Sequence, residues 1–458
     1  WHGMEVPALQ DGSPLSQFPV PGSGGTHDYQ FTLLKAGVTW YHPHVRTHEQ
    51  IEKGLHGAIV VRDPARDDAL GLPPDEALLI VDDVLLDGAS QVDAPFPTDP
   101  IGNASTQLNG REGNLFLVNG RETPSATVRS GAPLRLQLVN VANARFFRLS
   151  IDGHTFYRIG GDQDLIEEPL AKEPIGVVPD HHGMALVSDP NPARGVMTVP
   201  GERADIVFTP VGRPGEVLEL KWHDFPRGRH GIEQAGDGSL VTTHLHTDGE
   251  RDPVTLLRFE IGEGGNEEAE EYLPPTILTD LAKIDTTAAT TLPVTFGHGA
   301  PDTNGDVSFF AAMADGVGIP FSQLTVDQAL HASVNGAYIW EVTNMTGGDH
   351  PFHTHGFTFQ HIETEYIDTV TPTNNITVAA PLLENKDTAR IPRRPGAKGT
   401  SKTVARFAVR FADAGREGQV AAGGGAPTES ASGGWLVHCH TLEHAARGMI
   451  TFLNLTGP

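Results

Sequence analysis

An all-β fold is expected for this chain, as sandwiches or barrels, on three observations. Apolar residues recur with period two: Leu134, Leu136 and Leu138 are interleaved with Arg135 and Gln137, and Phe407, Val409 and Phe411 with Arg406 and Arg410. That period belongs to half-buried antiparallel strands. Turn dipeptides punctuate the runs, at Asn119-Gly120, Asp152-Gly153 and Asn335-Gly336. Gly 52 and Pro 35 among 458 residues exceed ordinary usage, and long amphipathic helical patterns are scarce.

Taken in order, the chain opens on Trp1-His2-Gly3, which is neither an initiator Met nor a signal peptide. A secretory leader would lie upstream. Ala58-Ile59-Val60-Val61 reads as a strand, and the polar, proline-marked stretch from Asp63-Pro64 to Pro73-Pro74 reads as a boundary. The acidic stretch Glu260 to Glu271 reads as a solvated linker. Three domains are expected, at 1–65, 66–259 and 260–458. Val118-Asn119-Gly120 and Val334-Asn335-Gly336 suggest an internal repeat between the second and third. The glycine-rich run 421–434 reads as a surface loop.

Lys+Arg 32 against Asp+Glu 58 gives a net charge of −26. Such a surface repels nucleic acid, whose binding is dominated by its phosphates, and repels anionic membranes equally. Solubility is the ordinary reading of the charge. The single cysteine excludes an internal disulfide. No apolar run approaches the ~18 residues of a membrane helix.

The chemistry lies in the 22 histidines. The richest cluster is His438-Cys439-His440, followed by His444 and Met449. On a strand, residues i and i+2 share a face, so Cys439 points away from His438 and His440. A thiolate, two imidazoles and a long thioether define a blue, type 1 copper site. Cys439, His444 and Met449 supply three of these, and His350, in His350-Pro351-Phe352-His353-Thr354-His355, supplies the fourth by its parity. His353 and His355 then join the face of His438 and His440. His42-Pro43-His44 is another i, i+2 pair, and His2 precedes it. So many imidazoles without a carboxylate cluster suit copper better than calcium or magnesium, and exceed the tetrahedral shell of zinc. A lone HxH is weak by comparison. His244-Leu245-His246 is read as structural, and His181-His182 receives no role.

These segments resemble the multicopper oxidases, a family that includes laccases, bilirubin oxidases and bacterial copper-efflux oxidases. The resemblance rests on Trp1-His2-Gly3, Trp40-Tyr41-His42-Pro43-His44 and the two C-terminal segments. Asn143-Ala144-Arg145, Asp152-Gly153-His154 and Pro200-Gly201-Glu202-Arg203-Ala204-Asp205 extend it through the middle of the chain. It implies three cupredoxin-like Greek-key domains with a trinuclear copper cluster between the first and third, four coppers in the full-length protein. Type 1 copper would take His350, Cys439, His444 and axial Met449. The type 3 pair would take His2, His42, His44, His355, His438 and His440. Type 2 copper would take His353 and a histidine immediately before Trp1. The expectation is therefore an N-terminally truncated chain with an incomplete first domain, lacking one type 2 ligand.

The resemblance also implies that His444 turns an imidazole edge towards substrate, and that Glu443 and Asp11 relay protons to the cluster. It implies a laccase-like enzyme, with a phenol or aromatic amine as small-molecule reductant and dioxygen as acceptor. A Cu(I) or other metal-ion oxidase in copper tolerance is the alternative, disfavoured by only 6 scattered Met. A non-enzymatic copper-binding relative, or an inactive fragment, is a third reading. Periplasmic or secreted localisation is expected by analogy, with no nucleic acid or membrane partner. Oligomeric state is not legible.

Overall fold

The computed structural model describes residues 1–14, 17, 19–173, 194–245, 251–314, 316–324, 328–412 and 434–456. His181, His182, His246 and residues 421–433 of the expected loop lie outside these. The described strands form four large sheets and three two-stranded ribbons. One large pair spans the middle of the chain. A six-stranded sheet carries Glu76–Val84, Leu134–Asn140 and Arg203–Phe208 at its centre, facing a five-stranded sheet that includes Phe147–Ile151 and Val217–His223. Phe147, Phe156, Phe208, Trp222 and Phe259 fill the space between them. Each such ring contributes roughly 1.5–3 kcal/mol by leaving water.

A second pair repeats this plan in the C-terminal part. Thr290–His298, Ala337–Asn344, Ser401–Arg410 and Phe359–Asp368 lie in the six-stranded sheet. His350–Thr354, Trp435–Cys439, Ile450–Thr456 and Thr388–Ile391 lie in the five-stranded one. Phe296, Trp340, Phe352, Phe359 and Phe407 form the core, together with Cys439 and Met449. The N-terminal region supplies one ribbon, Gly37–Tyr41 paired with Gly57–Val61. Its Val38 and Trp40 bury against Val139, Val141 and Leu442, so this small core is shared among all three regions. No described helix is long and apolar enough to cross a membrane.

Three differences from the sequence reading have physical causes. Each large sheet holds one parallel pair, such as Thr290–His298 with Ala337–Asn344, amid antiparallel neighbours. Alternation cannot distinguish the two pairings, since side-chain period is the same in both. Leu134–Asn140 is buried on both faces, not half-buried. Leu136 and Leu138 face the sandwich core, while Val139 faces the shared core and Arg135 is neutralised by Asp205. The two Asn-Gly turns are not equivalent. Asn119-Gly120 precedes Ser125–Arg129, whereas Asn335-Gly336 precedes Ala337–Asn344. The counterpart of Asn335, whose N–H reaches Phe411 O, is Gly131, whose N–H reaches Pro210 O.

The proline-marked stretch after Val61 contains a short helix, Pro64–Leu70, capped by the Asp63 side chain and closed by Gly71 at φ 63. Strand Val254–Gly262 runs into the acidic stretch because it pairs with Ser125–Arg129.

Candidate metal centres

Two strands make the site. His350–Thr354 pairs with Trp435–Cys439 in a register that sets Phe352 opposite Cys439 and His353 opposite His438. The ladder continues past the strand end, where His440 N–H donates to Pro351 O at 2.8 Å. Pleating then sorts the side chains. Cys439 turns into the sandwich core and its two neighbours turn outward, towards the N-terminal region.

On the inner side, Cys439 Sγ lies 3.4 Å from His350 Nδ1 and 3.5 Å from His444 Nδ1, and the two Nδ1 atoms are 3.1 Å apart. All three residues are buried, and Met449 is fully buried in the same core. The far edges of the rings are engaged. Thr346 Oγ1 sits 2.6 Å from His350 Nε2, and Leu108 O sits 3.1 Å from His444 Nε2. With the Nε2 proton of His444 given to a carbonyl, its Nδ1 lone pair must face the centre. Burial pushes the thiol of Cys439 up to about 12 and, with neighbouring charges, drives His444 down to about 3. A cation is what would make the thiolate form here.

On the outer side the imidazoles form two triplets, His2, His42 and His440, and His44, His355 and His438. Within the second, His355 Nε2 and His438 Nε2 are 3.2 Å apart. Their other nitrogens are taken, by Asp11 Oδ2 at 2.7 Å from His355 Nδ1 and by Cys439 O at 2.9 Å from His438 Nδ1. His42 Nδ1 similarly meets Pro43 O at 3.1 Å. Buried nitrogens without a hydrogen-bond partner include His2 Nδ1, His44 Nε2 and both ring nitrogens of His440. Orphaned buried donors and acceptors cost about 1–3 kcal/mol each, and within each triplet one nitrogen per ring lies within 4.8 Å of the others. Such a donor set fits metal ions that accept imidazole. Burial, reinforced by mutual repulsion, holds His2, His42, His44, His438 and His440 well below the ordinary histidine value.

His353 stacks on His2 with ring centroids 3.8 Å apart. Its Nδ1 meets Asp387 O and Thr388 Oγ1, each at 3.0 Å. Asp387 was not singled out by sequence, yet its Oδ1 lies 3.1 Å from His2 Nε2. Nothing in local spacing marks it, because Thr388–Ile391 meets the ligand strand only in the folded sheet. Asp11 is buried and held down at about 2: burial opposes this, and His355, with the Trp1 amine and His353, together outweigh burial. Glu443 touches none of the ring nitrogens in these triplets. Its carboxylate accepts from Arg111 N–H at 3.1 Å and Asn143 Nδ2 at 2.9 Å, and burial raises its pKa.

His444 is expected to turn an imidazole edge towards substrate, and in the structure its Nε2 edge meets protein. It is 2% exposed, with helix Pro100–Asn109 of the middle region supplying the Leu108 carbonyl that covers it and Phe309 stacked on its ring. His244, read as structural, lies in strand Leu240–Leu245 opposite His230.

Two family models described as multicopper oxidase match residues 1–66 and 301–414. The chain belongs to the multicopper oxidase family. The laccase of Bacillus subtilis (strain 168) is 24% identical over 480 residues, covering 100% of this chain and 79% of the relative. Cell division protein FtsP of Xenorhabdus nematophila is 32% identical over 183 residues, 38% of this chain. The matched stretch spans 35% of the length of that relative. Among solved structures, "Multicopper oxidase from Campylobacter jejuni: a metallo-oxidase" superposes with a TM-score of 0.71 at 21% identity, covering 100% of this chain and 79% of the other. The fold is thus the cupredoxin fold of that family.

Proposed function

We propose that the protein oxidises a small-molecule reductant, a phenol or aromatic amine, one electron at a time, and couples this to four-electron reduction of dioxygen to water. When bound, copper supplies the redox chemistry, as a type 1 centre for electron uptake and type 2 and type 3 ions for dioxygen. Cys439, His350, His444 and Met449 would hold the type 1 ion. His2, His42, His44, His355, His438 and His440 would hold the type 3 pair, and His353 the type 2 ion. The observation that carries the reading is the sulfur of Cys439 standing 3.4 and 3.5 Å from two imidazole nitrogens while its bonded neighbours join triplets on the opposite face. One residue thereby links both donor sets through main-chain bonds.

The protein's own groups have two further tasks. Asp11 fixes the orientation of His355 and stands ready beside it to pass protons. Glu443, buried where a carboxylic acid keeps its proton more readily, is the second proton carrier. We also propose domain limits at 1–65, 66–259 and 260–458, and function outside the cytoplasm, in the periplasm or secreted.

A metal-ion reductant such as Cu(I) is favoured by one observation. The Nε2 edge of His444 meets Leu108 O and the residue is buried, and a small ion needs only a few donors nearby. The deciding experiment measures copper per chain, the visible thiolate-to-copper band, and oxygen uptake with a phenol and with Cu(I). Copper at the thiolate centre and at the imidazole triplets (four ions in the full-length protein), a blue band lost in Cys439→Ser and turnover of either reductant are expected. A colourless protein at full copper occupancy would refute the assignment.

A further inference from the structure

The segment Pro200-Gly201-Glu202-Arg203 belongs to the middle region, which supplies none of the imidazoles of the triplets, yet it lies against them. Arg203 is fully buried and its guanidinium is spent on all three regions of the chain. Nε donates to Val38 O of the N-terminal ribbon at 3.0 Å. Nη1 donates to Gly201 O at 2.9 Å and to Asp387 Oδ1 of the C-terminal region at 2.8 Å. Nη2 donates to Asp162 O and to Asp387 Oδ2, completing a two-pronged pair with the carboxylate.

Asp387 hands this order on. Its Oδ1 meets His2 Nε2 at 3.1 Å and accepts the Thr388 hydroxyl at 2.9 Å, while its main-chain carbonyl and Thr388 Oγ1 meet His353 Nδ1. Fixing His2 through Nε2 aims its orphan Nδ1 inward, and fixing His353 through Nδ1 leaves Nε2 for a metal. The backbone around the arginine is shaped for the same end. A Cβ on Gly201, at φ +88, would stand 2.7 Å from His2 Cε1 and 3.1 Å from His440 Cδ2. A Cβ on Gly3, at φ +81, would strike the Arg203 guanidinium.

We infer that Arg203, acting through Asp387 and seated by Gly201, is a positioning residue that clamps the three regions around the imidazole cluster and sets which nitrogens of His2 and His353 face the metal. The inference rests on the copper reading above. It assigns the middle region a direct part in building a centre to which it gives no ligand.

The test loads the full chain with Cu²⁺ and follows copper retained against a chelator, the type 2 electron paramagnetic resonance signal and the thiolate band. Variants are Arg203→Lys, which keeps charge but loses the fork, Asp387→Asn and Gly201→Ala. Arg135→Lys is the comparison, a buried arginine whose partners are Asp205 and Asp67. Copper of the imidazole cluster is expected to be held about 10–100-fold less tightly in the three variants, with an altered type 2 signal and an unchanged thiolate band. Arg135→Lys is expected to lower the melting temperature with copper retained as in the parent. Retention within about twofold of the parent in Arg203→Lys and Asp387→Asn, against the 10–100-fold typical of such partners, overturns the inference. So does loss of both centres together with a lowered melting temperature in these variants, the mark of a general loss of structure. Should the parent itself hold no copper at the imidazoles, the copper reading fails first.

Discussion

Met449 is fully buried in the core that encloses Cys439, and its carbonyl accepts the Cys439 N–H at 3.0 Å. A weak axial thioether lowers a type 1 potential relative to a hydrocarbon side chain. Met449→Leu should therefore keep the blue band and raise the potential in a redox titration; a fall or no change would remove Met449 from the ligand set. Glu443→Gln preserves volume but cannot carry a proton. Dioxygen reduction is expected to slow by about 10²-fold or more with the thiolate band intact, and unchanged turnover at full copper would end its relay role. Acid should also act later than free histidine suggests. Competition with copper would begin near the ~6.5 of an unperturbed ring, but burial moves His353 to about 4 and His444 to about 3. Copper at the Cys439 centre, followed by its visible band across pH, should therefore hold well below pH 6.5. The parity of HxH spacing made the separation of Cys439 from its neighbours legible. The contacts of Leu108 O with His444 and of Arg203 with Asp387 span 336 and 184 residues, so no local pattern announces them.

The helix Pro100–Asn109 shows what an element adds. Proline opens it, and the Asp99 side chain accepts the Gly102 N–H at 2.7 Å. Its last turn delivers the carbonyl that covers His444. Asp99→Ala should cost about 1 kcal/mol of local stability and shift the thiolate band, as the Leu108 contact loosens. Hydrogen exchange along 100–109 and the visible spectrum together check this; faster exchange with an unmoved band would separate the helix from the metal site. Period two and turn dipeptides announced strands such as Leu134–Asn140 and Ser401–Arg410. They did not announce the parallel pairs or this helix, whose buried side includes Asn103 and Gln107 and so shows no continuous apolar stripe. Those two amides are satisfied by Asn304, Gly305 and Asp306 from the C-terminal region, a partnership invisible in sequence.

Across the whole molecule, the buried uncharged rings make acid the weak direction. Between about pH 6.5 and 4 the unfolded chain protonates histidines that the fold keeps neutral, so unfolding takes up protons and stability falls as pH falls. Glu52 works in the other sense. Burial raises it to about 8, so its contribution weakens as pH rises from 4.5 through that value. The metal-free protein should melt at progressively lower temperature from pH 6.5 to pH 4 in calorimetry, since the shifted rings outnumber it. A flat profile would contradict the burial of the rings.

Cys439 is the sole thiol of the chain and has no exposed surface. A thiol reagent can consequently label the protein only in those instants when the C-terminal sandwich comes apart, and at no competing position. Labelling speed in the metal-free state is then a clock for that opening, read by mass one adduct at a time, and copper at the sulfur would stop it.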